Sequence, residues 1–272
     1  MKLYRFGALK MVRSKSLPRL LAELLALQAL LLAGVWADEK PLKPPVVEDW
    51  SAVSRITQDD DWAAVPGFMG YRGDKLTGKP GMNPQTVIAE GLSTPVDVIA
   101  NQKNPNSLRT GGVAEFDGIS NPTIALKGSG TAGAPFLLLN LDTRGKHNIT
   151  IGYKLRDLDG SANNSVQAIA LQYRTQADVP FTDVPSAFAP DASTGPNQAT
   201  LVTPIVVILP TNADNQAMLQ VRWITANADG NDEWIGVDDI AIIGDELGAA
   251  VGVSSDKGKA ARPGRPAQDL IN

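Results

Sequence analysis

The fold is decided by Asp232-Glu233-Trp234-Ile235-Gly236-Val237-Asp238-Asp239-Ile240-Ala241-Ile242-Ile243. Successive side chains of a β-strand point to opposite faces of the sheet. Strict alternation therefore predicts that Ile235, Val237, Asp239, Ala241 and Ile243 share one face, and that Trp234, Asp238, Ile240 and Ile242 share the other. Both faces carry large apolar side chains, so we expect a strand that is at least partly covered on both sides.

The acids of this stretch need partners, because a buried carboxylate is costly unless it is paired, hydrogen-bonded or bound to a metal. Calcium is one candidate partner, since it takes six to eight oxygen ligands. The first and last ordered strands of a sandwich often lie close together, so an early acidic group could meet the late one. The candidate calcium ligands are Asp59, Asp61, Asp238 and Asp239. The alternative is that each acid caps a turn or pairs with an arginine such as Arg55, Arg156 or Arg222.

A third acidic group, Asp157-Leu158-Asp159-Gly160-Ser161, looks like the start of an EF-hand loop. That loop requires glycine at position six and glutamate at position twelve. Here those positions hold Ala162 and Ala168. The pattern therefore favours an ordinary connection between strands.

The rest of the chain contains many short apolar runs separated by turn residues, and it shows little helical periodicity. The principal predicted strands cover 123–127, 134–141, 149–155, 168–175, 201–209, 219–226 and 233–243. Brief strands are expected at 96–100 and 113–116, and Asn83-Pro84 is typical of the start of a short helix over 83–90. The sequence predicts an all-β, antiparallel β-sandwich of jelly-roll type with long irregular N-terminal loops.

The two ends of the chain differ in composition from this module. A basic lead, an apolar run over 24–35 and Val35-Trp36-Ala37 are typical of a secretory signal peptide covering 1–37. Residues 38–49 are charged and proline-rich and read as a linker. We expect the sandwich at 50–244 and a disordered tail at 245–272, where large apolar residues are scarce. These features predict a secreted or cell-surface protein with no membrane span once the signal is removed.

Composition excludes several kinds of chemistry. The 272-residue chain has no cysteine, so disulfides, thiolate metal sites and a cysteine nucleophile are absent. Its one histidine, His147, would have to serve any Ser-His-Asp triad, and no nucleophile partner is recognisable. Removing 1–37 leaves a net charge of about −9, which argues against nucleic-acid binding. We therefore expect a protein that is not an enzyme.

Several separated blocks resemble a known module. They are Ser54 to Trp62, Pro66-Gly67 with Gly70 to Asp74, Gly111 to Phe116, Leu155 to Ser161 and Asp232 to Ile240. Over about 50–244 the chain is similar to an amino-terminal module of large secreted bacterial proteins. In those proteins the module often precedes immunoglobulin-like repeats or an endonuclease/exonuclease/phosphatase domain. The resemblance implies a non-catalytic role, and this chain contains no such nuclease domain.

A looser similarity is to carbohydrate-binding and MAM-type jelly rolls, whose late strand often carries an apolar-Asp-Asp-apolar pattern. It implies a structural calcium near Asp238 or Asp239. Sugars are often held by exposed aromatic rings, and Trp62 and Tyr71 are the candidate contacts because they fall in predicted loops. Packing at the sandwich edge is the alternative for both rings.

The sequence thus favours a secreted, non-catalytic binding or structural module, with calcium and an extracellular glycan or cell-surface component as candidate partners. The alternative is an accessory module detached from a secreted nuclease or phosphatase.

Overall fold

A computed structural model of the protein describes residues 40–247. The signal peptide predicted at 1–37 and most of the tail predicted at 245–272 lie outside this range. Eleven strands lie within it: β1 (Val46–Glu48), β2 (Phe68–Tyr71), β3 (Gly112–Phe116), β4 (Thr123–Lys127), β5 (Phe136–Leu141), β6 (Lys146–Asp157), β7 (Ala170–Arg174), β8 (Thr182–Asp183), β9 (Val202–Ile208), β10 (Leu219–Ile224) and β11 (Ile235–Glu246). Three short 3₁₀ helices cover Pro84–Thr86, Pro185–Ala187 and Thr211–Ala213.

The strands form two antiparallel sheets that pack face to face. One sheet has the order β3-β4-β11-β6-β9, with β1 also paired to β11, and the other has the order β2-β5-β10-β7-β8. From β4 to β11 the orders 4-11-6-9 and 5-10-7-8 are those of a jelly roll, in which two four-stranded sheets share a Greek-key path. The predicted all-β jelly-roll sandwich is confirmed.

The opening stretch becomes β11, but its faces differ from strict alternation. The register between β11 and β6 shifts between Asp238 and Ala241, and Asp239 has a left-handed φ of 48°. Such a β-bulge inserts an extra residue, which reverses the side-chain parity beyond it. Ile240 and Ile242 therefore join Ile235 and Val237 in the main core, whereas Ala241 and Ile243 are exposed. The predicted face assignment was wrong after Asp238.

Part of the predicted linker belongs to the sandwich. Val46, Val47 and Glu48 pair with Ile242, Ala241 and Ile240 of β11, and Leu42 forms a bridge with Leu141. The proline-rich composition of this segment concealed its three-residue strand. The short helix expected after Asn83 is a single 3₁₀ turn, Pro84–Thr86. The Asn83 side chain caps this turn by accepting a hydrogen bond from Gln85 N.

The core between the sheets is apolar and includes Trp223 and Tyr153, as expected from their strand faces. Their rings meet edge to face at 5.6 Å. The opposite face of the five-stranded sheet is covered by the loop after β2. There Arg222 is fully buried and donates to Val87 O, Ala89 O and Gln172 Oε1 at 2.6–2.9 Å. This arginine ties the loop to the sheet.

Strand β9 is the edge of the six-stranded sheet. Leu209 N donates to Ile149 O and Asp157 N donates to Leu201 O. The peptide groups of odd-numbered residues thus face β6, and those of even-numbered residues face away from the sheet. Val206 and Ile208 are 75% and 62% exposed on the outer surface of this edge.

Among residues 40–247, no helix has the length and apolar character that a membrane crossing requires.

Candidate functional site

Five connections meet at one end of the sandwich, which we call the loop end. They are the loops after β2, β4, β6, β8 and β10, whose adjoining strands are neighbours in the two sheets. Asn227 holds two of them together, because Asn227 N donates to Gly133 O at 2.9 Å and Gly81 N donates to Asn227 O at 2.8 Å. Three depressions lie around this junction.

The largest depression, which we call the Lys75 cleft, has a volume of about 580 Å³. Its walls are the loop after β2 and the β4–β5 connection, with Asn227 at one side. Eight of its twelve lining residues have polar or charged side chains: Arg72, Asp74, Lys75, Thr77, Lys79, Ser129, Thr131 and Asn227. The other four are glycines and Pro80. Hydroxyl, amide and charged groups therefore face a space large enough for a small polar ligand.

The backbone of the Lys75 cleft is closely held. Gly73 has φ +67°, and a Cβ there would lie 1.8 Å from Ala134 O, so only glycine allows this approach. Ala134 N donates to Gly73 O at 3.1 Å, and Thr77 Oγ1 donates to Gly133 O at 3.1 Å. The turn that carries Lys75 is thus fastened to the β4–β5 connection.

Arg72 and Asp74 form a two-pronged ion pair in this cleft. Arg72 Nε and Nη2 donate to the two carboxylate oxygens of Asp74, each at 2.7 Å. The Arg72 hydrogen bond lowers the pKa of Asp74. The Arg72-Gly73-Asp74 tripeptide, to which the sequence assigned no function, here forms one wall of the cleft.

The second depression, which we call the Phe188 depression, has a volume of about 420 Å³ and shares Asn227 with the cleft. Apolar groups dominate its lining, including Met82, Val166, Phe188 and Pro190, and Asp229 is its single acid. Phe188 is the one aromatic residue of 40–247 that is not classed as buried. It is the aromatic ring most available to a ligand in this range.

The third and smallest depression, of about 170 Å³, contains Lys127, Asp159 and Asp232. Lys127 Nζ lies 3.3 Å from Asp159 Oδ2, and both side chains are nearly covered. Burial raises the pKa of Asp232 to about 6. Its lining has two carboxylates and two basic side chains, Lys127 and Arg109, so it lacks the positive excess of the Lys75 cleft.

Glu233 lies behind this third depression and is only 2% exposed. Glu233 Oε1 accepts a hydrogen bond from Ser165 N at 3.1 Å, while Oε2 has no hydrogen-bond partner among the described residues. Burial, followed by the nearby charges of Asp159 and Asp157, raises the pKa of Glu233 to about 8. The carboxyl is therefore largely protonated at neutral pH.

The early acids predicted as calcium ligands hold backbone N–H groups. Asp59 Oδ1 accepts from Ala100 N at 2.9 Å, and Asp61 Oδ1 accepts from Ala63 N at 3.0 Å. Both acids are exposed. They stabilise the irregular segment after β1, as turn acids do.

The late acids are paired with basic side chains. Asp238 is fully buried, and Asp238 Oδ2 accepts from Arg156 Nη1 at 2.7 Å and from Asn121 Nδ2 at 2.9 Å. Asp239 Oδ2 accepts from Lys154 Nζ at 2.6 Å. In the part of the chain that the structure describes, no three acidic or histidine side chains are grouped in a way that could hold a metal ion. Calcium binding at Asp59, Asp61, Asp238 and Asp239 stays a prediction.

Trp62 and Tyr71 are in the core, not in exposed loops. They are 4% and 8% exposed. Trp62 Nε1 donates to Asp97 O at 3.2 Å, and Tyr71, the last residue of β2, stacks on Phe136 with ring centroids 4.9 Å apart. Rings covered in this way offer no free face to a sugar, so the structure corrects their expected exposure and favours the packing alternative.

His147 lies on β6, with Nε2 4.0 Å from Asp245 Oδ2 at the sheet end opposite the loop end. Its Nδ1 has no hydrogen-bond partner within 40–247. No hydroxyl nucleophile is therefore hydrogen-bonded to it there, as a Ser-His-Asp arrangement requires.

Sequence reasoning missed Lys75, Lys79, Asn227 and Phe188 as candidate contacts. The turn-rich composition around 72–81 was the only signal that the first two lie in a loop. Their convergence depends on which strands are neighbours in the jelly roll.

Comparison with known proteins gives only distant likenesses. No protein-family model matches the chain, and no curated protein matches it. A solved structure of TmCBM61 in complex with beta-1,4-galactotriose is 9% identical, with 47% of this chain and 73% of that chain covered and a TM-score of 0.32. CBM28, a carbohydrate-binding module specific for non-crystalline cellulose, is 14% identical over 61% of this chain and 97% of its own, with a TM-score of 0.34.

The K1 cleaved adhesin domain of Lys-gingipain from Porphyromonas gingivalis W83 is 13% identical over 74% of this chain and 98% of its own, with a TM-score of 0.36. At these scores no ligand and no role follow from the likenesses.

Proposed function

We propose that this protein is a secreted, non-catalytic β-sandwich that binds an extracellular glycan at its loop end. The observation that carries the proposal is that the Lys75 cleft and the Phe188 depression lie side by side and share Asn227. Together they offer hydroxyl, amide and charged groups beside an apolar surface with one accessible ring. Sugar rings present the same combination of polar edges and apolar faces, and aromatic side chains pack on those faces.

The non-catalytic part of the proposal is supported by how the acids that line these two depressions are used. Glycoside hydrolysis needs two carboxyl groups flanking a substrate cleft. The Lys75 cleft is lined by one, Asp74, and both its carboxylate oxygens are held by Arg72. The Phe188 depression is also lined by a single acid, Asp229. Binding, without bond cleavage, is what these two depressions support.

Secretion is the remaining component of the proposal. It rests on the basic lead, the apolar run and the Val35-Trp36-Ala37 sequence of the first 37 residues. Amino-terminal sequencing of protein recovered from the culture medium would test it, with Asp38 as the expected first residue.

A glycan array probed with the purified protein tests the binding function. The Phe188→Ala variant tests whether the Phe188 depression is part of the binding site. The substitution removes the accessible ring, so we expect binding to the preferred glycan to weaken by about five- to tenfold. Val206→Ala is a matched control, because it truncates an exposed apolar side chain on the edge strand β9.

Absence of binding to every glycan would reject the function. Equal binding by Phe188→Ala and the wild type would remove the Phe188 depression from the site. Thermal unfolding of both variants should accompany the assay, since Phe188 also packs against a buried cluster.

A further inference from the structure

The Lys75 cleft differs in charge from the rest of the protein. Residues 40–247 carry nine more acidic than basic side chains, with His147 neutral. The cleft, however, is lined by Arg72, Lys75 and Lys79 against a single acid, Asp74. Because Arg72 and Asp74 pair with each other, two positive charges remain.

Lys75 and Lys79 are both exposed. Neither ammonium group forms an ion pair or a hydrogen bond with the residues that the structure describes. Lys75 has a left-handed φ of 58°, on the turn that is fastened to the β4–β5 connection. The two lysines are therefore held at the mouth of the cleft without an internal partner.

A concave surface lined by charges of one sign attracts ligand groups of the opposite sign. An ammonium group binds a carboxylate or sulfate through charge-assisted hydrogen bonds, which are stronger than neutral ones. The neighbouring Phe188 depression has no basic lining residue and one acid, Asp229. An anionic group is thus favoured in the cleft, and an uncharged, apolar sugar face is favoured beside Phe188.

The overall charge decides what kind of polyanion fits. Double-stranded DNA has one negative charge per roughly 1.7 Å of its axis, and its binding needs many basic contacts. The described part of the chain is acidic overall and would repel such a polymer outside the two lysines. A glycan with widely spaced acidic groups avoids most of this repulsion.

Building on the glycan-binding function proposed above, we propose that the ligand is an acidic glycan. One carboxylate or sulfate group faces Lys75 and Lys79, and an adjacent sugar ring packs on Phe188 and Val166. Asn227 lines both depressions and contacts the ligand between these two points.

The test is calorimetric titration of the purified protein with two acidic oligosaccharides and their uncharged counterparts. Galacturonate oligomers are compared with their methyl esters, and a sulfated galactan oligomer is compared with its desulfated form. The double variant Lys75→Gln with Lys79→Gln is compared with Lys40→Gln with Lys103→Gln, which removes two exposed lysines outside the cleft. A single-stranded oligonucleotide serves as a further polyanion.

We expect at least one acidic form to bind more tightly than its uncharged form, and about tenfold or greater weakening in the cleft variant only. The acidic oligosaccharide that binds shows whether the recognised anionic group is a carboxylate or a sulfate. Equal binding of the acidic and uncharged forms would overturn the acidic class while leaving glycan binding intact.

Equal weakening in both double variants, or tighter binding of the oligonucleotide, would also overturn the assignment, because nonspecific attraction would then explain the effect. Failure of every glycan, on the array and in the titrations, would reject the proposed function itself.

Discussion

Replacing Glu233 with glutamine should make the protein more stable at neutral and alkaline pH. Glu233 Oε2 is buried without a hydrogen-bond partner among the described residues, and Asp157 and Asp159 lie near enough to raise its pKa further. Glutamine keeps a side-chain oxygen for Ser165 N. It also places a neutral amide where a carboxylate would be costly.

The size of the effect follows from proton linkage. The pKa of Glu233 rises from 4.5 to about 8 on folding, so the folded state retains a proton that the unfolded chain releases between these values. The free energy of unfolding therefore falls as pH increases through this window. At about 1.4 kcal/mol per pH unit, the wild type should lose roughly 2 to 3 kcal/mol between pH 6 and 8 that Glu233→Gln keeps.

Other raised carboxyls act mostly at lower pH. Burial raises the pKa of Asp97 and of Asp232 to about 6. Their contributions have the same sign but are largely complete by pH 6. The difference in the free energy of unfolding between wild type and Glu233→Gln from pH 6 to 8 thus reports the ionisation of Glu233.

Urea unfolding at several pH values measures the difference, with Asp178→Asn as a control that removes one exposed acid. The control should follow the wild type. Parallel curves for wild type and Glu233→Gln would refute the reasoning, because they would mean that Glu233 is already ionised at pH 6 in the folded protein.

Two further predictions concern the acids of β11. Arg156→Met removes the basic partner of the buried Asp238 and should lower the free energy of unfolding by about 3 kcal/mol. Lys154→Met, at the exposed pair with Asp239, should cost less than about 1 kcal/mol. Similar losses in denaturant titrations of the two variants would contradict this ranking. Because both acids at the bulge already have basic partners, millimolar calcium should change the melting temperature of chelator-treated protein by less than about 1 °C, and a rise of several degrees would support calcium binding.

Much of the fold could be predicted from the sequence, because apolar alternation marks strands wherever one or both faces are covered. The jelly-roll class and the main strands were accessible for this reason. The faces of β11 after Asp238 were not, since one extra residue at the bulge reverses the parity. The adjacent Asp238-Asp239 pair was the only local indication, as aspartate tolerates left-handed backbone better than most residues.

The candidate site was less accessible than the fold. The acids and aromatics that stand out in the sequence, such as Asp238 and Trp62, turned out to be paired or packed inside. Lys75 and Asn227 are unremarkable in the sequence, and they come together because the loops after β2 and β10, from distant parts of the chain, meet at the loop end. Sequence alone gives the composition of those loops but not which of them meet.

The edge strand β9 affects how readily molecules of this protein associate through the sheet edge. Its even-numbered peptide groups face away from the sheet, and one of them belongs to Pro204, which has no N–H. A second molecule that paired with β9 to extend the sheet would meet no N–H donor at Pro204, in the middle of the strand. Exposed Val206 and Ile208 would otherwise favour fibril growth from this edge. We therefore expect Pro204 to oppose edge-to-edge association at this apolar strand.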